Sequence, residues 1–333
     1  MSEYKSEIDN ISQEEWGSIL SQFDDSNIHQ TFEYGERKWG RKHLSHFVFK
    51  YKGQIISAAQ LWVVRFPILN AGLAYIPWGP VWRLRGLPIQ VRHFKALIKA
   101  LHQEYVVKRG LLLRIRFNEI DAENNYNVKQ ALDEMQNAGI ITLTNEYRYR
   151  TIIVNLNHSL EQLRINLRKS WRRQLNKAEK NNLQISVGTS NEEFAIFCEL
   201  YQDMISRKKF TKNISNPYLY ADIQKTLPEL NKMRIILSRF DGHYVSGSIL
   251  SAQGNTGKSL LAATGTLDIE QKLSSSYLMD WHSMEWLKHN GFKYLDLRGY
   301  NPNRYPGYSH YKAGFGGDDV RFVGTYEACQ NII

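Results

Sequence analysis

The chain has 333 residues, a formal net charge of +10 at pH 7 and an isoelectric point of about 9.4. One hydrophobic core seldom extends over so long a chain, so a single small domain is excluded and two domains are expected. The excess of lysine and arginine favours an anionic partner, such as nucleic acid, phosphate or a membrane surface, without choosing among them.

The cysteines, histidines and apolar runs argue against a disulfide-bonded, metal-binding, secreted or membrane-spanning protein. Cys198 and Cys329 stand outside any CxxC motif, as is typical of a reducing cytoplasm. The histidines are too scattered to predict a metal site. The N-terminal stretch is polar and acidic, unlike a secretory signal, and the most apolar run, Ser57–Trp82, is broken by charge and proline. We therefore expect a cytoplasmic protein without a metal, for which peripheral contact with the inner face of a membrane stays open.

In chain order, the first clear pattern is a β-hairpin in Lys50–Leu61, followed by a helical run and an apolar strand in Val91–Phe117. The same order returns later, with a hairpin in Arg239–Leu250 and a helix and strand in Ser274–Gly299. The two hairpins align without a gap, and each helix ends at a glycine. This repeat predicts an α/β (α+β) fold built from two tandem copies of one mixed domain.

The two copies join near residue 148, so we predict domains at 1–147 and 148–320. A strand in Arg150–Leu156 leads to a polar cap and then to one helix, whose apolar stripe runs from Leu160 to Ala178. Both a solvated face and a face that binds RNA phosphates remain open for the cations beside this stripe. These cations form two rows, one of Arg164, Arg168 and Arg172 and one of Lys169, Arg173, Lys177 and Lys180.

Two short motifs in the second half have ordinary structural explanations. Gly254–Ser259 reads GNTGKS, but its glycines are too close together for a phosphate-binding P-loop, so we predict a hairpin loop. Ser274–Ser276 begins a helix, where N-capping is favoured over a phosphate site.

The stretch Tyr308–Gly324 reads YSHYKAGFGGDDVRFVG and places one lysine, Lys312, among aromatic residues before a glycine cluster. We predict a loop that leads into an edge strand, with Asp318 and Asp319 in a solvated turn and with glycines that let the backbone approach a bound group. A fixed ammonium group in a loop of this kind can stabilise the oxyanion of an acyl transfer.

Five segments together resemble the Fem family of non-ribosomal peptidyl transferases, which add amino acids from aminoacyl-tRNA to the peptidoglycan stem peptide. The most specific match is YLDLRGYNP followed by HYKAGFGGDDVRFVGTYE, which is similar to the family's Asp-x-x-Gly and aromatic-Lys-x-Gly-Phe-Gly motifs. The other segments are Gln30–Lys38, Ala74–Trp82, Leu167–Ile185 and Tyr201–Phe210. The resemblance covers nearly the whole chain.

The resemblance implies two tandem GNAT-like domains, with a last strand at 321–333 that returns to the first domain. It implies that Lys312 stabilises the tetrahedral transition state, and that Lys38 and Arg207 hold the diphosphate of a nucleotide-linked or lipid-linked peptidoglycan precursor. It implies aminoacyl-tRNA as co-substrate, with no further cofactor. The remaining predicted substrate-binding residues are Tyr218, Tyr311 and Arg298, and those predicted to meet the tRNA are Arg168, Arg172, Arg173 and Lys177.

Two departures from the family and two alternatives remain. An acid that the family carries after its first-domain helix is absent, with Glu119 or Asp121 nearby, so the general base is open. The long coiled-coil arm of some members is also absent. The first alternative is an acyl-CoA-dependent GNAT N-acyltransferase acting on envelope polysaccharides or small molecules, although Ile269–Trp281 lacks the glycines of a CoA pyrophosphate loop. The second is a binding module for RNA or an envelope precursor, without catalysis.

Overall fold

The computed structural model describes residues 3–66, 71–121, 126–144, 148–208 and 215–330. The chain forms two compact units. The first consists of Met1–Tyr149 and Val320–Ile333, and the second of Arg150–Asp319. The C-terminal segment of the chain thus belongs to the same unit as its N-terminal half.

Fourteen strands alternate with eleven α-helices in the described parts of the chain. The strands are β1 (Tyr4–Ile8), β2 (Leu44–Tyr51), β3 (Gln54–Phe66), β4 (Ala71–Pro77), β5 (Leu112–Arg116), β6 (Thr142–Leu143), β7 (Arg150–Asn155), β8 (Gln184–Gly188), β9 (Arg234–Phe240), β10 (His243–Gln253), β11 (Thr256–Thr264), β12 (Tyr294–Asp296), β13 (Asp318–Arg321) and β14 (Thr325–Ala328). The helices are α1 (Gln13–Leu20), α2 (Phe32–Trp39), α3 (Val91–Leu101), α4 (Tyr126–Asn137), α5 (Leu160–Asn166), α6 (Lys169–Ala178), α7 (Asn191–Lys208), α8 (Pro217–Thr226), α9 (Thr266–Gln271), α10 (Ser275–His289) and α11 (Pro306–Ala313).

Each unit contains one seven-stranded sheet, and the two sheets have matching strand orders. The first sheet runs β1-β2-β3-β4-β5-β14-β6, and the second runs β8-β9-β10-β11-β12-β7-β13. In each sheet the fourth and fifth strands are parallel, whereas the strands before them pair antiparallel. A parallel pair needs a crossover, which α3 supplies in the first unit and α10 in the second. The predicted α/β fold of two tandem copies is confirmed.

The hairpins that revealed the repeat form as their turn residues predict. Gly53 and Gly242 have φ values of +85° and +82°, which glycine adopts readily, and the residues before them are also left-handed. The GNTGKS segment likewise joins β10 to β11 as a tight hairpin, with Gly254 at φ +60°. The predicted hairpin loop is confirmed.

The buried side-chain amide of Gln30 holds two of the Fem-like segments next to each other in the fold. The side chain of Gln30 donates to the carbonyl of Pro77 at 2.7 Å and accepts from the backbone N–H of Gln60 at 2.8 Å. These bonds satisfy polar groups that would otherwise be buried without partners. The segments Gln30–Lys38 and Ala74–Trp82 are therefore fastened to each other within the first unit.

The predicted single basic helix is wrong, because two helices form in its place. Ser159 caps α5 as expected, by accepting from the N–H of Gln162 at 3.1 Å. The chain then straightens at Leu167 and Arg168, where ψ is 139° and 144°, before α6 begins. The N–H of Arg168 donates to the carbonyl of Gly314 at 3.0 Å. Gly314 is distant in sequence, so this bond is not a bond within a helix that contains residue 168. The apolar stripe is nevertheless buried at Leu163, Leu167, Trp171, Leu175 and Ala178, and half-buried at Leu160.

No helix in the described ranges is long and apolar enough to cross a membrane. The same ranges contain no group of three or more His, Cys, Asp or Glu side chains that could hold a metal ion.

Candidate active site

Lys312 lies in the last turn of α11, which corrects the prediction that it stands in a loop. Pro306 occupies the first position of this helix, where its fixed φ and missing N–H are favourable, and Gly314 ends it. The lysine is only 5% exposed, although lysine is seldom buried unless it is paired. Such burial requires specific partners for the ammonium group.

The partners of the Lys312 ammonium group are two carbonyl oxygens and an aromatic face. Nζ donates to the carbonyls of Arg298 and Gly299, the second at 3.0 Å. It also lies 4.1 Å from the centre of the Tyr308 ring, in cation–π distance. The carbonyls belong to the turn after β12, in which Arg298 has φ +52° and Gly299 has φ +45°. Arg298, predicted to bind substrate, thus contacts the predicted catalytic residue through its backbone.

Burial lowers the pKa of Lys312 to about 7, because the charged form loses its hydration. The carboxylates of Asp296 and Asp280 oppose this shift, whereas the guanidinium of Arg298 adds to it. At neutral pH the ammonium and amine forms are therefore both accessible. A group poised in this way is suited to chemistry that changes the charge beside it.

Tyr311 connects α11 to the N-terminal part of α10. Its hydroxyl donates to a carboxylate oxygen of Asp280 at 2.7 Å and approaches the carbonyl of Ser276 at 3.1 Å. Burial raises the pKa of Asp280 to about 6, although the hydrogen bond from Tyr311 acts in the opposite direction. Burial, followed by the nearby Asp280, holds the pKa of Tyr311 well above its usual value. The phenol therefore stays protonated and acts as a donor.

Arg207 joins the same network from the last turn of α7. One terminal nitrogen of its guanidinium donates to the carbonyl of Thr264 at 2.5 Å, and the hydroxyl of Thr264 lies 3.0 Å from that of Ser276. The Nε of Arg207 is buried without a hydrogen-bond partner among the described residues. A buried N–H donor without a partner is uncommon in folded proteins.

Two of the predicted substrate-binding residues lie outside this network. Tyr218 lies in the first turn of α8, is 52% exposed and forms no side-chain hydrogen bond with the described residues. Lys38 belongs to the first unit, where its Nζ bonds to the hydroxyl of Tyr34 at 3.0 Å and lies over the rings of Tyr34 and Trp39. The structure thus brings together Arg207, Arg298, Tyr311 and Lys312 within the second unit.

The cations on α5 and α6 have unequal surroundings. Arg164 forms a bidentate pair with Glu179, and Arg172 donates to the carbonyl of Ile165 at 3.1 Å near the end of α5. Among the described residues, Arg168, Arg173 and Lys177 are exposed and form no ion pair or side-chain hydrogen bond. The exposed positive charge is therefore concentrated in the second of the two rows, which consists of Lys169, Arg173, Lys177 and Lys180.

Glu119 and Asp121 are both engaged, so neither is a free base in this structure. Glu119 is buried against Arg83 and accepts from the Trp82 indole at 2.8 Å. Asp121 pairs with Lys129 at 2.9 Å and with Arg148 at 3.0 Å.

The glycine cluster after Lys312 serves packing inside the protein, which corrects its predicted approach to a bound group. A Cβ on Gly316 would lie 2.1 Å from the carbonyl oxygen of Asn166, and one on Gly317 would lie 2.5 Å from that of Ile153. The two aspartates that follow are exposed, as expected, but they begin the edge strand β13, and Asp319 pairs with Arg150. The predicted turn is therefore wrong, whereas the edge strand is confirmed.

Sequence reasoning missed three buried polar residues near Lys312, namely Thr151, Lys258 and Asp296, and one half-buried residue, Asp280. Asp296 carried a signal, because it is the acid of the Asp-x-x-Gly segment. Asp280 carried a weaker one as a lone acid within an otherwise apolar turn of helix. Thr151 and Lys258 lie on strands whose pairing only the folded sheet reveals.

Comparison with known proteins agrees with this architecture. Residues 166–313, somewhat less than half of the chain, match the family model described as an acetyltransferase (GNAT) domain. FemX superposes over 98% of this chain and 98% of its own, with a TM-score of 0.79 and 15% sequence identity. The chain has the tandem GNAT-like fold of FemX. The resemblance that the sequence motifs indicated is thus confirmed at the level of the fold.

Two further structures resemble this FemX-like fold less closely. One is the C-terminal domain of a putative lysylphosphatidylglycerol synthetase from Agrobacterium fabrum, with a TM-score of 0.57, 11% identity and coverage of 96% of this chain and 91% of that one. The other is L-PGS from Bacillus licheniformis, with a TM-score of 0.55, 12% identity and coverage of 97% and 93%. No curated protein sequence matches the chain significantly.

Proposed function

We propose that this protein is a Fem-type aminoacyltransferase that moves an amino acid from aminoacyl-tRNA to an amine of a peptidoglycan precursor stem peptide, as in cell-wall bridge formation. The observation that carries the proposal is the buried Lys312 ammonium group, held by two carbonyls in the unit that matches the GNAT family model. The Fem-like segments around it support the same assignment. With aminoacyl-tRNA as donor, the reaction takes place in the cytoplasm. A lipid-linked precursor would bring the protein to the inner face of the membrane.

In the proposed reaction the acceptor amine attacks the carbonyl carbon of the aminoacyl ester. A C–N bond forms, and the carbonyl oxygen becomes an oxyanion that the Lys312 ammonium group stabilises electrostatically. The C–O bond to the tRNA ribose then breaks, and the ribose oxygen leaves with the proton that the amine loses. Positioning of the two substrates supplies the remainder of the rate, so no covalent enzyme intermediate is needed.

The N-terminus of α10 argues against acyl-CoA as donor. A CoA pyrophosphate would need free N–H groups there, but the carboxylate of the buried Asp268 accepts from the N–H of Ser275 at 2.9 Å. This carboxylate also replaces the serine N-cap expected from the sequence, since Ser274 makes no capping bond. A second anion beside Asp268 would be repelled.

The Nε–H donor of Arg207, which is buried without a partner among the residues that the structure describes, supports an anionic acceptor. A diphosphate oxygen would satisfy the buried Nε and bring the charge that a guanidinium prefers. One structural neighbour is a putative lysylphosphatidylglycerol synthetase, a name that points to lysyl transfer onto a lipid. Transfer to a phospholipid is therefore the alternative acceptor for the same chemistry.

The proposal is tested by incubating the purified protein with aminoacyl-tRNA and either a nucleotide-linked or a lipid-linked stem peptide, and by detecting the extended product by mass spectrometry. Parallel reactions contain acetyl-CoA, or a phospholipid in place of the stem peptide. Extension of the stem peptide from aminoacyl-tRNA alone supports the proposal. Turnover with acetyl-CoA but not with aminoacyl-tRNA would overturn it, and turnover only with the phospholipid would change the acceptor.

The pH dependence of kcat/KM follows from the charge of Lys312. The ammonium form is the active one, and it is lost as pH rises through its pKa of about 7 in the free protein. We therefore expect kcat/KM to fall above about pH 7. In Lys312→Arg, whatever activity remains should lack this alkaline limb, because a guanidinium keeps its proton. An alkaline limb that is the same in both proteins would assign the titration to another group.

The exposed row on α6 is expected to contact tRNA. Arg173→Glu and Lys177→Glu should each lower the affinity for tRNA and reduce the salt dependence of binding by about one unit in log–log slope. Lys99→Glu, an exposed lysine on α3 in the first unit, changes the net charge equally and serves as the control for Lys177→Glu. Filter binding over a range of salt concentrations makes the measurement. Equal losses in Lys177→Glu and Lys99→Glu would show that only net charge matters.

A further inference from the structure

Asp296 ends β12 and is the most enclosed carboxylate near Lys312, with 2% of the residue exposed. Its Oδ1 accepts from the hydroxyl of Thr151 at 2.6 Å and from the N–H of Arg298 at 2.8 Å. Its Oδ2 lies 4.0 Å from Nζ of Lys258. Thr151 and Lys258 belong to β7 and β11, the strands on either side of β12, so the carboxylate is fixed from both neighbours.

The bond from Arg298 to Asp296 stabilises an unusual turn. Arg298 and the next residue both have positive φ, at +52° and +45°. The left-handed conformation is unfavourable for a residue with a side chain, so a local hydrogen bond is needed to hold it. An aspartate that accepts from the N–H two residues later is a recurrent means of fixing such a turn. The turn then directs the carbonyls of Arg298 and Gly299 at the same ammonium group.

We propose that Asp296 is a positioning residue for Lys312: by fixing the turn at Arg298 and Gly299, it holds the two carbonyl oxygens that bind the ammonium group. This inference rests on the function proposed for Lys312. The negative charge of Asp296 adds an electrostatic effect, since it favours the charged form of the lysine. The other charged groups that bear on Lys312 are Asp280 from α10, which acts in the same sense, and Arg298 itself, which opposes it.

A merely structural role for Asp296 makes a different prediction. If the carboxylate only tied β12 to its neighbours through Thr151 and Lys258, its loss would lower stability without changing the surroundings of Lys312. A positioning role requires that the accessibility and titration of Lys312 change in a protein that remains folded. The two roles are therefore separated by a measurement on the lysine itself.

The test is trace labelling of lysines with acetic anhydride, read peptide by peptide by mass spectrometry and normalised to the exposed Lys225 in the same sample. In Asp296→Ala the turn loses its hydrogen-bond acceptor. We expect Lys312 to label about tenfold faster than in the wild type, because the loss of one charge-assisted hydrogen bond shifts the local opening equilibrium of the turn by about that factor. Asp296→Asn keeps an oxygen acceptor. Its labelling rate should stay closer to that of the wild type, while the pH midpoint for labelling of Lys312 moves lower.

Asp319→Asn is the matched control, because it removes an exposed carboxylate of the same unit that pairs with Arg150 and does not contact Lys312. Its Lys312 labelling should equal that of the wild type. Folded Asp296→Ala with unchanged labelling of Lys312 would overturn the proposal. If the alanine variant does not fold, an unchanged midpoint in Asp296→Asn would overturn it instead.

Labelling needs no substrate, so this test remains valid even if the wild type shows no aminoacyl transfer. Where transfer is measured, Asp296→Ala should lower kcat with little change in KM for the tRNA donor, because the lysine acts on the transition state.

Discussion

Lys312→Ala is expected to lower kcat for aminoacyl transfer by about 10²–10³-fold, the usual effect of removing one oxyanion donor. The affinity for tRNA should change far less, because the ammonium group is buried and already bonded to the carbonyls of Arg298 and Gly299. Single-turnover rates with saturating aminoacyl-tRNA, together with equilibrium binding of the tRNA, make the comparison.

Lys225→Ala is a suitable control, because Lys225 is an exposed lysine of the same unit that forms an ion pair with Asp222. It should leave both quantities unchanged. Equal losses of rate and tRNA affinity in Lys312→Ala would contradict a catalytic role. They would favour the reading of the protein as a binding module.

Gly316→Ala is expected to lower the free energy of unfolding by about 2–5 kcal/mol, combining a left-handed backbone with overpacking. Gly316 has φ +73°, and its added Cβ would lie 2.1 Å from the backbone oxygen of Asn166 at the end of α5. Neither atom can move away easily, because the Cβ position is set by the backbone of residue 316 and the oxygen belongs to the backbone of Asn166. Urea unfolding followed by circular dichroism measures the change.

Gly307→Ala provides the matched comparison in the same region. Gly307 lies in the first turn of α11, nothing stands within 4 Å of its added Cβ, and alanine favours helix. We expect this change to be neutral or slightly stabilising. If Gly316→Ala changed the free energy of unfolding as little as Gly307→Ala, the glycine cluster would not pack as closely against α5 as the structure shows.

The hairpins and the repeat could be predicted because their signals are local. Alternating residues around Lys52-Gly53 and Asp241-Gly242 specify a turn with positive φ, whatever the remainder of the chain does. Both helical runs stop before a glycine with positive φ, which is the same kind of signal. The first continues from α3 as a π-helix over His102–Lys108 and stops before Gly110, and α10 stops before Gly291. Two such units in the same order were enough to infer the tandem fold.

The details around Lys312 could not be predicted in the same way. The predicted loop is a helix, and the one signal for it, a proline at the first helical position, stood among residues typical of turns. The predicted basic helix breaks because the N–H of Arg168 finds a partner at Gly314, far along the chain. Likewise, the α10 N-terminus is occupied by Asp268, while the serines nearby suggested an ordinary cap.

By itself, the sequence determined the fold class, the tandem repeat and the residues worth suspecting, because periodicity, turn chemistry and short motifs depend on neighbours along the chain. Only the tertiary structure decided that Lys312 is buried, that Nε of Arg207 is buried without a hydrogen-bond partner among the described residues, and that Asp280 and Asp296 lie near the lysine. The pKa of a lysine and the satisfaction of a buried donor depend on desolvation and on partners from other strands and helices, which no local pattern encodes.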